Sequence, residues 1–196
     1  MKTRFCIFIL IMALALKSCT FGSCAKLDLV KEDIEWFETY KINQKLFFKN
    51  QFNQIDSLIV YDKSLRFTQC NKFELSEYQY QKAYIRINDL NESNLARNNK
   101  IQVTFTQKEK RGLSLKNFIV YGFYFNIHDL NTELNDTLIN LKHLNKDKVK
   151  CYVFESKNSP AYGHSNSKLN KFYWNKEEGL LKYVINDTLE YEIFKK

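Results

Sequence analysis

The sequence holds little that bends or breaks a backbone: one proline, Pro160, and five glycines in 196 residues. So few glycines leave little room for backbone-lined phosphate sites, and no glycine-rich phosphate loop, HExxH or GxSxG motif occurs. Histidine is equally scarce. His128, His143 and His164 stand apart, and none has a partner at the spacing of a metal-ligand set or a catalytic triad. The five cysteines form no CxxC pair, which removes the usual zinc and thioredoxin-like readings. No apolar run approaches the about 20 residues that a membrane-crossing helix needs; the longest, Phe5–Leu16, has 12. No catalytic residue, metal ligand or cofactor is expected on these grounds.

Charge of one sign is in excess but not concentrated. The formal charge is +8, from 30 Lys and Arg against 22 Asp and Glu. The densest cluster, Lys108-Glu109-Lys110-Arg111, contains an acid and reads as a solvated turn rather than a nucleic-acid patch. Nucleic acid is therefore not an expected partner. A weak attraction to anionic lipid headgroups is compatible with the excess.

What is there starts at the N-terminus. Lys2 and Arg4 precede the run Phe5–Leu16, and Leu16-Lys17-Ser18-Cys19 follows it. A basic start, a short apolar stretch and a small residue before a cut is the layout of a secretory signal peptide. Leu16-Lys17-Ser18-Cys19 resembles a lipobox, the signal of bacterial lipoproteins, with Leu three residues before Cys and a small residue just before it. Lys17 departs from the small or apolar residue usual at its place. Phe21-Gly22-Ser23-Cys24 is a second candidate, with Phe where Leu is usual. The resemblance covers residues 1–24. It implies cleavage before Cys19 (alternatively Cys24), diacylation of that thiol, and a protein held on a membrane. Each buried CH₂ contributes about 0.8 kcal/mol, so two or three acyl chains make the attachment nearly irreversible.

A composition rich in Asn, Lys, Phe and Tyr is similar to that of lipoproteins of the Bacteroidota. Asp56-Ser57-Leu58, Asp136-Thr137-Leu138 and Asp187-Thr188-Leu189 match the Asp-Ser/Thr-apolar O-glycosylation pattern of that group. The resemblance thus marks Ser57, Thr137 and Thr188 as candidate glycosylation sites; the same tripeptides also read as ordinary turns and caps. The organisation expected is a signal peptide over 1–18, a lipidated Cys and tether over 19–26, and a single domain over 27–196. Cleavage leaves 178 residues at about +5, enough for one domain with a real core. In an oxidising compartment a Cys70–Cys151 disulfide is one reading, contributing about 4 kcal/mol by the chain-entropy model. Two buried thiols acting as small hydrophobes is the other.

Periodicity gives a coarse fold. Val30, Ile34, Phe37 and Lys41 share a stripe of a helix over Lys26–Tyr40, with Asp28 as N-cap. Leu46–Lys49, Ser57–Asp62, Tyr78–Asn88 and Val149–Glu155 read as strands. Ile101, Val103 and Phe105 alternate with Gln102, Thr104 and Thr106, the pattern of a half-buried strand. Asn117–His128 reads as one strand apolar on both faces, with Gly122 as a bulge. Leu130, Leu134, Leu138, Leu141 and Leu144 recur at helical spacing and predict an amphipathic helix. Ser156–Leu169 is a long loop and a candidate functional segment. A three-strand meander ends the chain, with Asn186-Asp187 as a tight turn. The sum is an α+β domain: a curved, mainly antiparallel sheet of about eight or nine strands with one or two helices packed on it.

The function expected is that of an exported, lipid-anchored protein of the outer membrane or cell envelope with a binding or structural role. Three alternatives remain open. One is a carrier of lipid or another hydrophobic ligand, resembling the Lol type in shape. Another is an immunity or inhibitor lipoprotein that binds a protein. The third is an envelope hydrolase, which would need a cleft gathering at least two of Asp, Glu and His.

Overall fold

The computed structural model describes residues 24–70, 78–91, 100–107, 114–128, 136–158 and 169–195. Apolar and polar residues alternate through most of them, which suits pleated strands with one face buried. Twelve strands result: β1 Ala25–Leu27, β2 Lys45–Asn50, β3 Ile55–Phe67, β4 Tyr78–Asp89, β5 Ile101–Gln107, β6 Ser114–Val120, β7 Phe123–His128, β8 Asp136–Leu141, β9 Lys146–Glu155, β10 Leu169–Asn175, β11 Gly179–Ile185 and β12 Leu189–Phe194. One α-helix, α1 (Lys31–Glu38), lies between β1 and β2.

The strands form two antiparallel meanders, β2 to β7 and β8 to β12. Pairing of β12 with β2 fuses them into one sheet of order β7-β6-β5-β4-β3-β2-β12-β11-β10-β9-β8. β1 adds to this sheet in parallel, Ala25 to Leu27 running beside Tyr78 to Tyr80 of β4. The sheet curls into a half-barrel, so strands near its two edges face each other across the interior. Phe118 of β6 reaches Phe154 of β9 and Trp174 of β10, with ring centroids 5.2 and 5.3 Å apart. Phe125 of β7 meets Phe172 of β10 at 5.0 Å, and Phe154 stacks on Phe172 at 4.5 Å. The concave face is a packed aromatic core. A smaller cluster of Leu141, Cys151 and Leu181 lies apart from it.

α1 closes one end of the half-barrel. Trp36 packs edge-on against Phe105 and Phe118 and stacks on Tyr152. Tyr40, just beyond the helix, is fully buried and takes a hydrogen bond on its phenol oxygen from the Leu180 N–H at 2.7 Å. Gly179 sits under that ring with φ +77°; a Cβ there would fall on the Tyr40 ring and hydroxyl.

The α+β expectation of eight or nine strands is corrected to a mainly β fold, with a single α-helix among the described residues. Two local readings account for most of the difference. The stretch read as one strand over Asn117–His128 is a hairpin. Tyr121 and Gly122, at φ 47° and 83°, form a two-residue turn that pairs Val120 with Phe123. Positive φ at both turn residues matches the right-handed strand twist, so alternation continued across the turn and hid it. The leucine-spaced segment is not a helix where it is described. Residues 136–141 form β8, paired with β9, and Lys142–Leu144 make one 3₁₀ turn closed by Asn145 in the left-handed region. Asn, Asp and Thr in this stretch are weak helix formers, and pairing with β9 decides the outcome. Leu130 and Leu134 lie outside the described residues. The first helix is shorter than its stripe suggested, because residues 25–27 pair with β4 and Val30, not Asp28, is the N-cap.

Candidate functional site

The N-terminal segment is fastened rather than trailing. Cys24, immediately before β1, is disulfide-bonded to Cys70, just after β3, with Cα atoms 6.0 Å apart. This corrects the Cys70–Cys151 reading. β1 lies beside the start of β4 and brings Cys24 to the β3 end, whereas Cys151 is buried in β9, its Sγ 3.7 Å from the Thr137 carbonyl oxygen. The disulfide joins a ribbon that runs past the end of β5. β3 pairs with β4 from Leu58↔Asp89 to Phe67↔Gln81, and past the last β4–β5 pair, Lys82↔Thr106, the Thr68 N–H donates to the Tyr80 carbonyl. Lys26 lies over the Phe67 ring at 5.0 Å and Arg66 over the Tyr84 ring at 4.5 Å.

A buried ion pair sits beneath α1. The inward stripe of the helix is Asp33, Trp36 and Phe37, continued by Tyr40, at the i, i+3, i+4, i+7 spacing of a core-facing helix. Asp33 is wholly buried, and its Oδ1 lies 2.9 Å from Nζ of Lys116, which is itself inward-facing on β6. The contact is ionic: neither Asp33 oxygen accepts a hydrogen bond of ordinary geometry. Lys116 Nζ also lies 3.5 Å from Ser114 Oγ. Trp36 Nε1 is buried without a hydrogen-bond partner.

At the opposite end, Asp56 of β3 gathers two phenols. Tyr121, from the β6–β7 turn, donates to Asp56 Oδ2 at 3.0 Å, and Tyr183 of β11 donates to the same oxygen. Lys100 Nζ is 3.8 Å from Asp56 Oδ1 and also pairs with Asp89. Burial, and then the neighbouring Asp56 charge, push the Tyr121 phenol well above the ordinary tyrosine range. Tyr183 is pushed up by burial first, then by Tyr121 and Asp56. Both phenols therefore stay neutral donors. The cluster ties β3, the end of β4, Lys100 just ahead of β5, the β6–β7 turn and β11 together, and among these residues it sets no nucleophile beside a base.

The residues singled out in the sequence are scattered. Cys19 and His164 lie outside the described residues. Ser57 is half-buried on β3, its carbonyl accepting from the Leu90 N–H. Thr137 stands on β8 opposite Cys151. Thr188 is exposed in the β11–β12 turn, after Asn186 and Asp187 at φ 55° and 59°. His143 is exposed in the 3₁₀ turn, where its backbone N–H donates to Glu192 at 2.7 Å, and His128 ends β7. Of the segment Ser156–Leu169, the described flanks border a groove of about 310 Å³ lined by Glu155, Lys157, Lys171 and Asp187. Lys157 lowers the Glu155 carboxyl by direct hydrogen bonding, and Tyr173 raises Lys171 in the same way. Among the described residues, no three His, Cys, Asp or Glu gather as metal ligands, and no helix is long and apolar enough to cross a membrane. Sequence reasoning missed the Asp33–Lys116 pair and the Asp56 cluster. The signal for the first was available: Asp33-x-x-Trp36-Phe37-x-x-Tyr40 has core spacing with an acid at its head.

No protein-family model, curated protein or solved structure matches this chain.

Proposed function

We propose that this protein is a lipid-anchored protein of the cell envelope, attached through Cys19, with a binding or structural role. The observation that carries the reading is the use of Cys24. A sulfur in a disulfide with Cys70 is not open to thioether acylation. Of the two lipobox-like cysteines, Cys19 is left as the anchor, five residues ahead of a body that is stapled at once. An oxidised cystine also suits an exported protein. The concave face bears on the alternatives. A carrier of hydrophobic ligands needs interior volume, whereas among the described residues Phe118, Phe125, Phe154, Phe172 and Trp174 pack against one another between the sheet edges. A body packed this way presents its outer surface and its hairpin turns, and binding there is the role favoured. The test is the mass of the mature protein taken from its native membrane fraction. A chain beginning at Cys19 and carrying two or three acyl chains is expected, soluble only with detergent. A mature chain without lipid overturns the anchor.

A further inference from the structure

The β8–β9 hairpin is held against the outer face of the sheet. Tyr173 alternates with the inward Phe172 and Trp174, so the second cluster it joins, Leu141, Cys151 and Leu181, lies on that outer face. Two contacts pin the hairpin tip: the His143 N–H donates to Glu192 of β12, and Lys146 pairs with Glu178 in the β10–β11 turn. Between this tip, the start of β2 and the end of β12 runs a groove of about 330 Å³. Its volume sits at the lower end of the range for ligand pockets, about 300–1,000 Å³. Phe47, Leu144, Ile193 and Phe194 line it, each half-buried. Phe47 and Phe194 are register partners with ring centroids 6.0 Å apart. They stand on the outer face, because Leu46 and Phe48 on either side of Phe47 are buried inward. Four large apolar side chains half-open to water in one groove differ from a lone exposed residue such as Leu138, and such a gathering marks a binding surface. The charged part of the lining is mainly basic. Lys45 and Lys195 are exposed, and neither ammonium has a partner among the described residues. The one acid in the lining, Glu178, is taken by Lys146. Lys45, Lys146 and Lys195 against Glu178 leave a local charge of +2.

We propose that this groove binds a free fatty acid of medium chain length, its acyl chain on Phe47, Leu144, Ile193 and Phe194 and its carboxylate at Lys45 and Lys195. A groove of this size suits a single acyl chain rather than a diacyl lipid. The inference rests on the binding role proposed above, to which it gives a ligand, and not on the anchor. The chain from residue 19 onward, which contains every described residue, is made with Cys19→Ser. It is titrated with decanoate, decan-1-ol and decyltrimethylammonium, each below the concentration at which it aggregates, and followed by backbone amide chemical shifts. Decanoate should give saturable shifts confined to residues 44–47, 143–146, 178 and 193–195. Decan-1-ol should shift the same residues at higher concentration, and decyltrimethylammonium should shift none. An exposed ion pair is worth up to about five-fold, so Lys45→Ala/Lys195→Ala should weaken decanoate about ten-fold and leave decan-1-ol unchanged. Leu144→Ser should weaken both by about ten-fold through lost apolar contact. Leu138→Ser, on the same hairpin but outside the groove, should bind as the parent does. So should Lys31→Ala/Lys148→Ala, which removes two exposed charges elsewhere. Equal losses in the two lysine doubles would show attraction by net charge alone and overturn the assignment. Shifts spread over the whole chain, or decyltrimethylammonium binding as well as decanoate, would overturn it too. No saturable response to decanoate would also overturn it and return the binding role to a macromolecule on the outer surface. An unlipidated mature mass would overturn the anchor separately, whatever the titrations show.

Discussion

The ion pair under α1 should behave asymmetrically when its members are removed singly. Asp33 is wholly buried and Lys116 nearly so, 2.9 Å apart and walled by Trp36, Phe105 and Phe118. Removing one member of a buried pair strands a charge and costs about 3–5 kcal/mol, whereas replacing both by apolar residues of similar volume is neutral or stabilising by about 1–4 kcal/mol. Lys116→Met leaves a carboxylate that accepts no other hydrogen bond, so it should lie at the upper end, near 5 kcal/mol. Asp33→Leu leaves an ammonium that keeps Ser114 Oγ at 3.5 Å, so it should lie near about 3 kcal/mol. Asp33→Leu/Lys116→Met should recover most of both losses. In a chain of this size 1 kcal/mol shifts Tm by about 2–4 °C, so the more severe single variant should melt at least about 10 °C lower. Urea unfolding of parent, singles and double, followed by far-ultraviolet circular dichroism, gives the coupling directly. Two single variants that each cost under about 1 kcal/mol and add in the double would refute the buried pair. A Lys116 variant milder than the Asp33 variant would refute the account of which charge is stranded.

Gly179→Ala should cost about 2–4 kcal/mol, combining a left-handed backbone that alanine disfavours with overlap on the Tyr40 ring; a loss of unfolding free energy under about 0.4 kcal/mol in urea would contradict the packing. Peptide mapping without reduction should recover one Cys24–Cys70 cross-link and an alkylatable Cys151 after unfolding, and Cys24→Ser/Cys70→Ser should lose about 4 kcal/mol for a closure of 46 residues; a Cys70–Cys151 peptide would overturn the pairing. The phenols of Tyr40, Tyr121 and Tyr183 are all held above the usual value by burial, so their contribution to stability is complete below about pH 10 and is lost as pH climbs past it. Absorbance near 295 nm should then show these three ionising late, together with unfolding; all 12 tyrosines titrating near pH 10 in a folded chain would contradict their burial.

Strand alternation was legible wherever one face is apolar and the other polar. Ile101, Val103 and Phe105 are buried on β5 as their spacing requires, and the closing meander β10–β12 falls where its residues placed it. Legibility failed where a turn kept the alternation going. Tyr121-Gly122 lies between Val120 and Phe123 with no polar punctuation around it, so one long strand and a tight hairpin present the same pattern. It failed again where residues recur at a spacing that two structures share. Leu134, Leu138 and Leu141 suit a helix on paper, yet β8 pairs with β9, and Leu138 is 61 % exposed while Leu141 is wholly buried. A long-range partner decided the matter, and a single segment carries no record of its partner.

The candidate sites were less legible for a related reason. Patterning arguments treat Asp33, Lys116 and Asp56 as surface residues, because each alone belongs in water. On β6 the inward row is Ser114, Lys116, Phe118 and Val120, so half of it is polar, and α1 meets that half with Asp33. Each residue makes sense only with the other: the acid on the helix is tolerated because an ammonium waits on the strand, and the strand tolerates its ammonium because the helix docks there. Such a pair contributes little net stability over an apolar one, but it is demanding about position. Sliding α1 by one residue along the mouth would turn Asp33 away from Lys116 and leave both charges unpaired in an aromatic wall. The stapled β1 and the Tyr40–Leu180 hydrogen bond hold the two flanks of the helix. The ion pair would then select the one register in which the plug seats, which is why the double apolar variant should be stable yet show a less uniquely placed helix, read as faster hydrogen exchange across residues 31–38 than in the parent.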